Sequence, residues 1–366
     1  MYANIPPIGS EEVKIFDFKK VLLILLCFSL LLTACARASS GTQNTGEKTV
    51  VHDFEPVTEI KSGRPDIYVV LKVMTSQYWQ DIIDGIADAG NEVGCNVYVG
   101  GPEGEGDWQS QKTLLDKAVY ELGADAVMLS PASSSALNPT MGKIYGDGIP
   151  VILVDTIIND ESFNTCYMTD NLQAGELAAG EMIRQLTAAG VSRDEEAGVA
   201  IQITSTSSQT VIDRLAGFNQ YWAANAPESW KVLDEVKLNN GDKERAEQNC
   251  LDFLMQYPNI KGVFGCNNSS TVGFVNGLNQ KSADAGNVVL VGFDYADETA
   301  ALIADSTRYA STIVQNQYLM GYDGLKDAFE IINGGKSEYK FVDTGTVVIN
   351  SDNQQEYEQD KAGDAK

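Results

Sequence analysis

The chain has 366 residues, 43% of them hydrophobic and 21% charged, a balance that reads as globular and not disordered. Its formal net charge of -25 excludes a nucleic-acid binder, because a phosphate backbone needs a face rich in Lys and Arg. A single histidine, His52, and six cysteines with no CxxC spacing exclude His-based nucleophile systems and most His metal sites, so neither a metal nor a cofactor is expected.

Met1 to Phe18 is a long, partly acidic leader that no export signal needs. With no other Met before Met74, the sequence points to a start further in, at Val13 through an alternative start codon. Two lysines, Lys19 and Lys20, then precede an apolar run of 14 residues from Val21 to Ala34. A spanning helix needs about 20 apolar residues, so this run predicts a secretory signal with a positive n-region and a short h-region. It ends in Leu32-Thr33-Ala34-Cys35, which resembles the lipobox of bacterial lipoproteins. Small residues at Thr33 and Ala34 let a peptidase close on the chain, and a thiol can carry a lipid. The resemblance implies that Cys35 is acylated and becomes the mature N-terminus, holding the protein to the outer face of the bacterial cell membrane. The plainer alternative is an ordinary signal peptide in which Cys35 is incidental.

Residues 1–35 are thus an address. Residues 36–65, rich in Ser, Gly, Thr and charge and without period, predict a flexible tether that includes His52. What remains, about 300 residues, suffices for two domains with real cores. Near-continuous apolar runs predict strands buried on both faces: "DIYVVL" (66–71), "NVYVG" (96–100), "AVMLS" (126–130) and "VILVD" (151–155). Amphipathic stretches between them have helical spacing with glycines at their ends. The alternation resumes with "GVAIQIT", "WKVLDEV", "GVFGC", "VVLVGFD" and "ASTIVQ". Strand–helix–strand order implies parallel sheets with right-handed crossovers, and so many strands predict two α/β lobes. Cys95, Cys166, Cys250 and Cys266 sit mostly in apolar runs and read as small buried hydrophobes. The tail, 351–366, is polar and acidic and predicts a frayed end.

In open parallel sheets ligands bind beyond the carboxyl ends of the strands. There the sequence places Lys72, Ser76, Tyr78 and Trp79, then Asp155, then Asn267, Asp294 and Gln315, with Arg214 early in a helix. Carboxylates and amides accept from hydroxyls, while Arg, Lys and Asn donate, and aromatic faces cover the C–H side of a ring, an inventory suited to a neutral polyol. Asp155 or Asp294 could instead cap a helix, and Tyr78 and Trp79 could be ordinary core.

The same residues carry a resemblance that covers about 66–350. "IYVVLKVMTSQYWQDIIDGI", "EGDWQSQ" (105–111), "VILVD", "YMTDN" (167–171), "DRLAGF" (213–218), "VFGCNN" (263–268), "VVLVGFD" and "TIVQ" (312–315) are similar, in order and spacing, to the type I periplasmic sugar-binding proteins of ABC importers, the ribose- and allose-binding group. The resemblance implies an α/β protein of two doubly wound parallel-sheet lobes joined by a three-segment hinge. The lobes would comprise 66–169 plus 316–344 and 170–315 plus 345–350, with crossings near Thr169-Asp170, Gln315 and Thr344-Gly345. It implies that Lys72, Ser76, Tyr78, Trp79, Asp155, Arg214, Asn267, Asp294 and Gln315 bind a pentose or hexose, and that a monomer delivers it to an ABC permease. The family often has Asn-Pro at Ser76-Gln77, an Arg at Thr156 in its ribose branch, and an aromatic near Gly241-Asp242, departures that bear on which sugar is bound.

Rival readings are weaker. "INGGKS" (332–337) lacks the first glycine of a Walker A loop, since Glu330 stands there, and "GGPEGEGDW" lacks dinucleotide spacing. Asp155 and Asp294 could imitate a glycosidase pair, and a LacI-type regulator shares the implied fold but needs a DNA-binding helix pair. A sugar-sensing lipoprotein that partners a chemoreceptor or histidine kinase, or a binder of a non-sugar polar ligand, stays open.

Overall fold

The computed structural model describes residues 51–281 and 286–364. Cys35, the apolar run before it and the first part of the expected tether lie outside the described residues.

The first lobe begins with β1 (Val51–Pro56) and β2 (Asp66–Val70), followed by α1 (Gln77–Val93) and β3 (Asn96–Pro102). Next come α2 (Trp108–Asp116), continued by a π-helical turn Lys117–Glu121, then β4 (Ala126–Leu129), α3 (Asn138–Gly146), β5 (Val151–Val154) and β6 (Thr165–Met168). The second lobe holds α4 (Asn171–Ala188), β7 (Ala197–Ile203), α5 (Gln209–Asn225), β8 (Trp230–Leu238) and α6 (Lys243–Gln256). It continues through β9 (Ile260–Gly265), α7 (Asn268–Gln280), β10 (Val289–Phe293), α8 (Asp297–Ala304) and β11 (Ala310–Gln315). The chain then returns with α9 (Gln317–Ile332) and β12 (Phe341–Asp343), and ends in β13 (Thr346–Asn350) and α10 (Gln354–Asp364).

Among the described residues the strands form a seven-stranded sheet, β1-β3-β2-β4-β5-β6-β12, and a six-stranded one, β13-β11-β10-β9-β7-β8. Pairing is parallel except where β1 meets β3 and β13 meets β11. The chain passes between sheets at 169–170, at Gln315–Gln317 and at 344–345.

Each sheet is buried on both faces, which is why its strands read as unbroken apolar runs. Along β2 the side chains alternate: Ile67 and Val69 join the core under α1 and α9, whereas Tyr68 and Val70 join that under α2 and α3. The second lobe repeats the plan, with Ile201 under α4 and α5 and Ala200 under α6 and α7. The crossed helix pairs α1/α9 and α4/α5 approach closely through glycines. A Cβ on Gly85 would overlap the Tyr318 carbonyl oxygen, and one on Gly217 the Leu172 carbonyl oxygen. Cys95, Cys166, Cys250 and Cys266 are buried free thiols, as small core residues.

Two expectations need correction. The stretch taken as tether is ordered from Val51: β1 pairs antiparallel with β3, Phe54 sits edge-on against Tyr68 at 4.8 Å, and Val57 N–H donates to Val97 O at 3.0 Å. His52 therefore lies in a strand and not in a linker. The described part of the tail, residues 351–364, is not frayed. Gln354 is buried, its amide donates to Ala300 O at 2.9 Å and to Tyr295 Oη at 2.8 Å, and Tyr357 packs edge-on against Tyr295 at 5.0 Å. One aromatic anchor and one buried amide seat a helix in which Gln355, Glu356, Glu358 and Gln359 are exposed.

Candidate functional site

All nine side chains singled out from the sequence line one cavity of about 490 Å³ between the two sheets' carboxyl ends. That volume lies in the usual range for small-molecule sites. The lobes meet around it: Ser134 N–H donates to Ser207 O at 3.1 Å, and the Thr156 and Thr210 hydroxyls are 2.9 Å apart.

Asp155 follows β5 directly and Asp294 follows β10 directly, each only 5% exposed. Both have positive φ, 65° and 66°. Left-handed backbone costs an L-residue about 1–2 kcal/mol, least for Asp and Asn, and such strain concentrates at functional sites. Neither caps a helix: α8 starts after Ala296, and no described helix begins after Asp155 until α4.

The two carboxylates live in different surroundings. Asp155 Oδ1 accepts from Tyr78 Oη at 2.5 Å, while Oδ2 accepts from Lys72 Nζ at 2.8 Å, Thr156 Oγ1 at 2.7 Å and Ser130 Oγ at 3.2 Å. Burial alone would raise this carboxyl, but the Lys72 ammonium and the Lys72, Thr156 and Tyr78 hydrogen bonds bring it down to about 2. The same burial, together with the charges of Asp155 and Asp294, pushes the Tyr78 phenol well up, so it stays a donor.

Among the described residues no cation makes contact with Asp294. Its Oδ1 accepts from Gln315 Nε2 at 2.8 Å, and Gln315 Oε1 in turn accepts from Arg214 Nη2 at 2.7 Å and from Thr169 Oγ1 at 3.0 Å. Burial pushes the Asp294 carboxyl up to about 6, against the opposing pull of Arg214 and the Gln315 hydrogen bond. Arg214, 2% exposed, also donates to Asn171 Oδ1 at 2.9 Å and Cys266 O at 3.0 Å, and its guanidinium lies 3.9 Å over the Phe293 ring. Every arm of the cation is thus fixed by protein.

The remaining members serve two purposes each. Tyr78 and Trp79, edge to face at 5.0 Å in the first turn of α1, belong to the core and also wall the cavity. Asn267 caps α7, accepting from Ser270 N–H at 3.3 Å, while its amide donates to Ser269 Oγ at 3.0 Å. Ser76 precedes α1 without a side-chain capping bond.

Further lining residues were not singled out from the sequence. Glu105, after β3, and Ser205, after β7, obey the same after-strand rule and could have been found by it. Thr156, fully buried and bonded to Lys72 at 2.5 Å, stands where the resemblance led one to expect an Arg. Thr210, on α5, carries no local signal, because only the meeting of the lobes brings it to Asp155 O at 3.3 Å. Among the described residues no group of three or more His, Cys, Asp or Glu is placed to hold a metal ion.

Residues 67–337 match the sequence profile of the family described as periplasmic binding protein domain. The chain belongs to that family. Its two-lobed α/β architecture is the type I periplasmic binding protein fold, and the family consists of substrate-binding transport proteins and not enzymes. The chain is 26% identical over 298 residues to the D-allose-binding periplasmic protein of Escherichia coli (strain K12), covering 75% of this chain and 89% of that one. It is 24% identical over 324 residues to the ribose import binding protein of Bacillus subtilis (strain 168), covering 87% and 95%. Among solved structures, the carbohydrate transporter solute-binding protein of Agrobacterium radiobacter in complex with D-arabinose superposes with a TM-score of 0.76 at 27% identity, covering 82% of this chain and 99% of that one. An ABC transporter solute-binding protein from Agrobacterium vitis with bound D-fucose gives 0.72 at 28% identity, covering 80% and 98%.

Proposed function

We propose that this protein is the extracytoplasmic solute-binding lipoprotein of an ABC importer, which captures one monosaccharide between its lobes and hands it to a membrane permease. The observation that carries the reading is the convergence of Lys72, Asp155, Tyr78, Trp79, Arg214, Asp294 and Gln315 on one cavity of about 490 Å³. Acceptors, donors and flat rings together replace the hydration of a polyol, and charged partners give the shorter bonds that displace water. The named relatives support the ligand class, since they are proteins of ribose and allose and structures with D-arabinose and D-fucose.

In this reading the lobes hinge about the three chain crossings, and ligand favours the closed arrangement because it bonds to both lobes at once. Switching the population nearly fully requires a differential affinity of about 5 kcal/mol. The Leu32–Cys35 sequence supports a lipid anchor on Cys35.

A thermal-shift screen of pentoses, hexoses and polyols, followed by calorimetry on the hits, tests the ligand. A micromolar or tighter monosaccharide is expected, and silence across the panel would overturn the reading. Incorporation of radiolabelled palmitate in a bacterial host, lost in Cys35→Ala, tests the anchor; an unlabelled wild type would refute it.

A further inference from the structure

The cavity contains a carboxylate that the protein does not occupy. Asp155 already accepts from four protein donors and faces Lys72, while Asp294 is held by Gln315 and lies in the field of Arg214. Glu105 differs from both. It stands in the loop between β3 and α2, half-buried in the cavity wall, and among the described residues none of its interactions is a hydrogen bond: burial acts on it first, then the charges of Lys72, Asp155, Asp294 and Arg214. The two cations whose charges act on it are Lys72, paired with Asp155, and Arg214, whose arms are held by Asn171, Cys266 and Gln315.

Its position is fixed from across the cleft. A Cβ built on Gly241 would lie 3.6 Å from Glu105 Oε2 and 3.6 Å from its Cβ, so the glutamate rests against the turn that follows β8. Gly241 has φ of +81°, and Asn240 before it +57°, so at Gly241 the turn presents backbone without a Cβ to Glu105. The carboxylate therefore lies beside the turn of the opposite lobe, in the lining of the cavity.

We infer that Glu105 is a specificity-determining contact of the site, accepting a hydrogen bond from a hydroxyl or ammonium of the sugar and turning away sugars that carry a negative charge. The inference rests on the monosaccharide reading above and deepens it. The cavity lining carries Lys72, Arg214 and Lys243 against Glu103, Glu105, Asp155, Asp242 and Asp294, so its wall is negative in excess, and Glu105 contributes to that excess. A uronate or sugar phosphate would meet that charge in a partly desolvated cleft, where like charges repel strongly. A neutral or amino sugar would instead supply the donor the carboxylate lacks.

The test compares wild type with the isosteric Glu105→Gln by calorimetry. The probes are D-ribose, D-allose, D-arabinose, D-fucose, D-galactose, D-galactosamine and D-galacturonate. Unliganded thermal melting serves as the folding control. The variant should bind the best neutral or amino sugar about ten- to hundred-fold more weakly, the range for a hydrogen bond to a charged group. Its ratio of sugar to galacturonate affinity should fall at least tenfold. A folded variant with unchanged affinity and an unchanged ratio overturns the assignment alone. A wild type that binds galacturonate best also overturns it while leaving the monosaccharide reading intact, whereas a wild type blind to the whole panel removes both.

Discussion

Asp294→Asn should make the protein more stable and bind its ligand worse, and the structure sets the size of each effect. The carboxyl rises from 3.8 to about 6 in the fold, close to two pH units. At 1.36 kcal/mol per unit this is about 3 kcal/mol. The folded form holds this proton more tightly than the unfolded chain, so the associated stability is complete below pH 3.8 and is lost as pH rises through 6. Asn is neutral throughout and tolerates the left-handed φ of 66°. The variant should therefore exceed wild type by about 3 kcal/mol at pH 7.5, or about 6 °C in Tm. Below pH 4 the two should melt together. Asp155 titrates in the opposite sense, contributing stability above 3.8 that disappears as pH falls through about 2, but it is common to both proteins and cancels in the difference. Scanning calorimetry of both proteins from pH 4 to 8 measures the gap, and titration with the identified sugar at pH 7.5 should show at least about tenfold weaker binding. Parallel pH profiles, or a variant less stable than wild type at pH 7.5, would refute the assignment of a strained, buried charge to this position.

Other perturbations address the frame around the site. Lys72→Met leaves Asp155 buried without its cation and should cost about 3–5 kcal/mol in denaturant unfolding, most of it recovered in the Lys72→Met/Asp155→Asn double variant. Gly217→Ala drives a methyl into the Leu172 carbonyl and should cost about 3 kcal/mol, whereas Gly180→Ala, whose Cβ would meet Tyr221 at an ordinary 3.5 Å, should stabilise by about 0.5–1 kcal/mol. Equal effects at the two glycines would contradict the packing of α4 on α5. Lys361→Ala removes the 3.0 Å ion pair that ties α10 to Asp81 on the opposite lobe. A partly exposed single ion pair of this kind contributes about 1 kcal/mol or less, so ligand dissociation measured by stopped flow should quicken by no more than about fivefold.

The parts of the fold that were legible in sequence are those whose order is local. "VILVD" and "VVLVGFD" announce strands because both faces of each strand are covered, and the aspartate at each end announces a cleft because polar groups gather beyond strand ends. β1 was missed since Phe54 is its chief inward anchor, and β3 decides its conformation by pairing with it. β12 was missed for the same reason: three residues with exposed Phe341 form a strand only beside β6. The polar saturation of Asp155 was invisible because Lys72, Tyr78, Ser130 and Thr156 reach it from three separate elements and their loops. No spacing rule encodes such a meeting; it follows from the packed fold.

That saturation also divides the labour between lobes that are otherwise built alike. Each lobe has a glycine-locked helix pair and an aspartate of positive φ directly after a strand. In the first lobe the aspartate is neutralised in contact by Lys72, which makes it a rigid wall whose hydrogen bonds are already satisfied. In the second, Asp294 keeps its charge only at the cost of burial and reaches Arg214 through Gln315, the last residue before the chain crosses back. Gln315 is bonded as well to Thr169, at the first crossing. In the proposed reading a ligand hydroxyl that donates to Asp294 would share the carboxylate with Gln315 and favour its ionised form. Gln315 thus bonds to Asp294 and also ties two of the three crossings together. In the proposed reading, binding at the second lobe's carboxylate would thereby touch a residue bonded across the crossings about which the lobes would move, a link that Asp155, with no bond to a crossing residue among its four donors, would not supply.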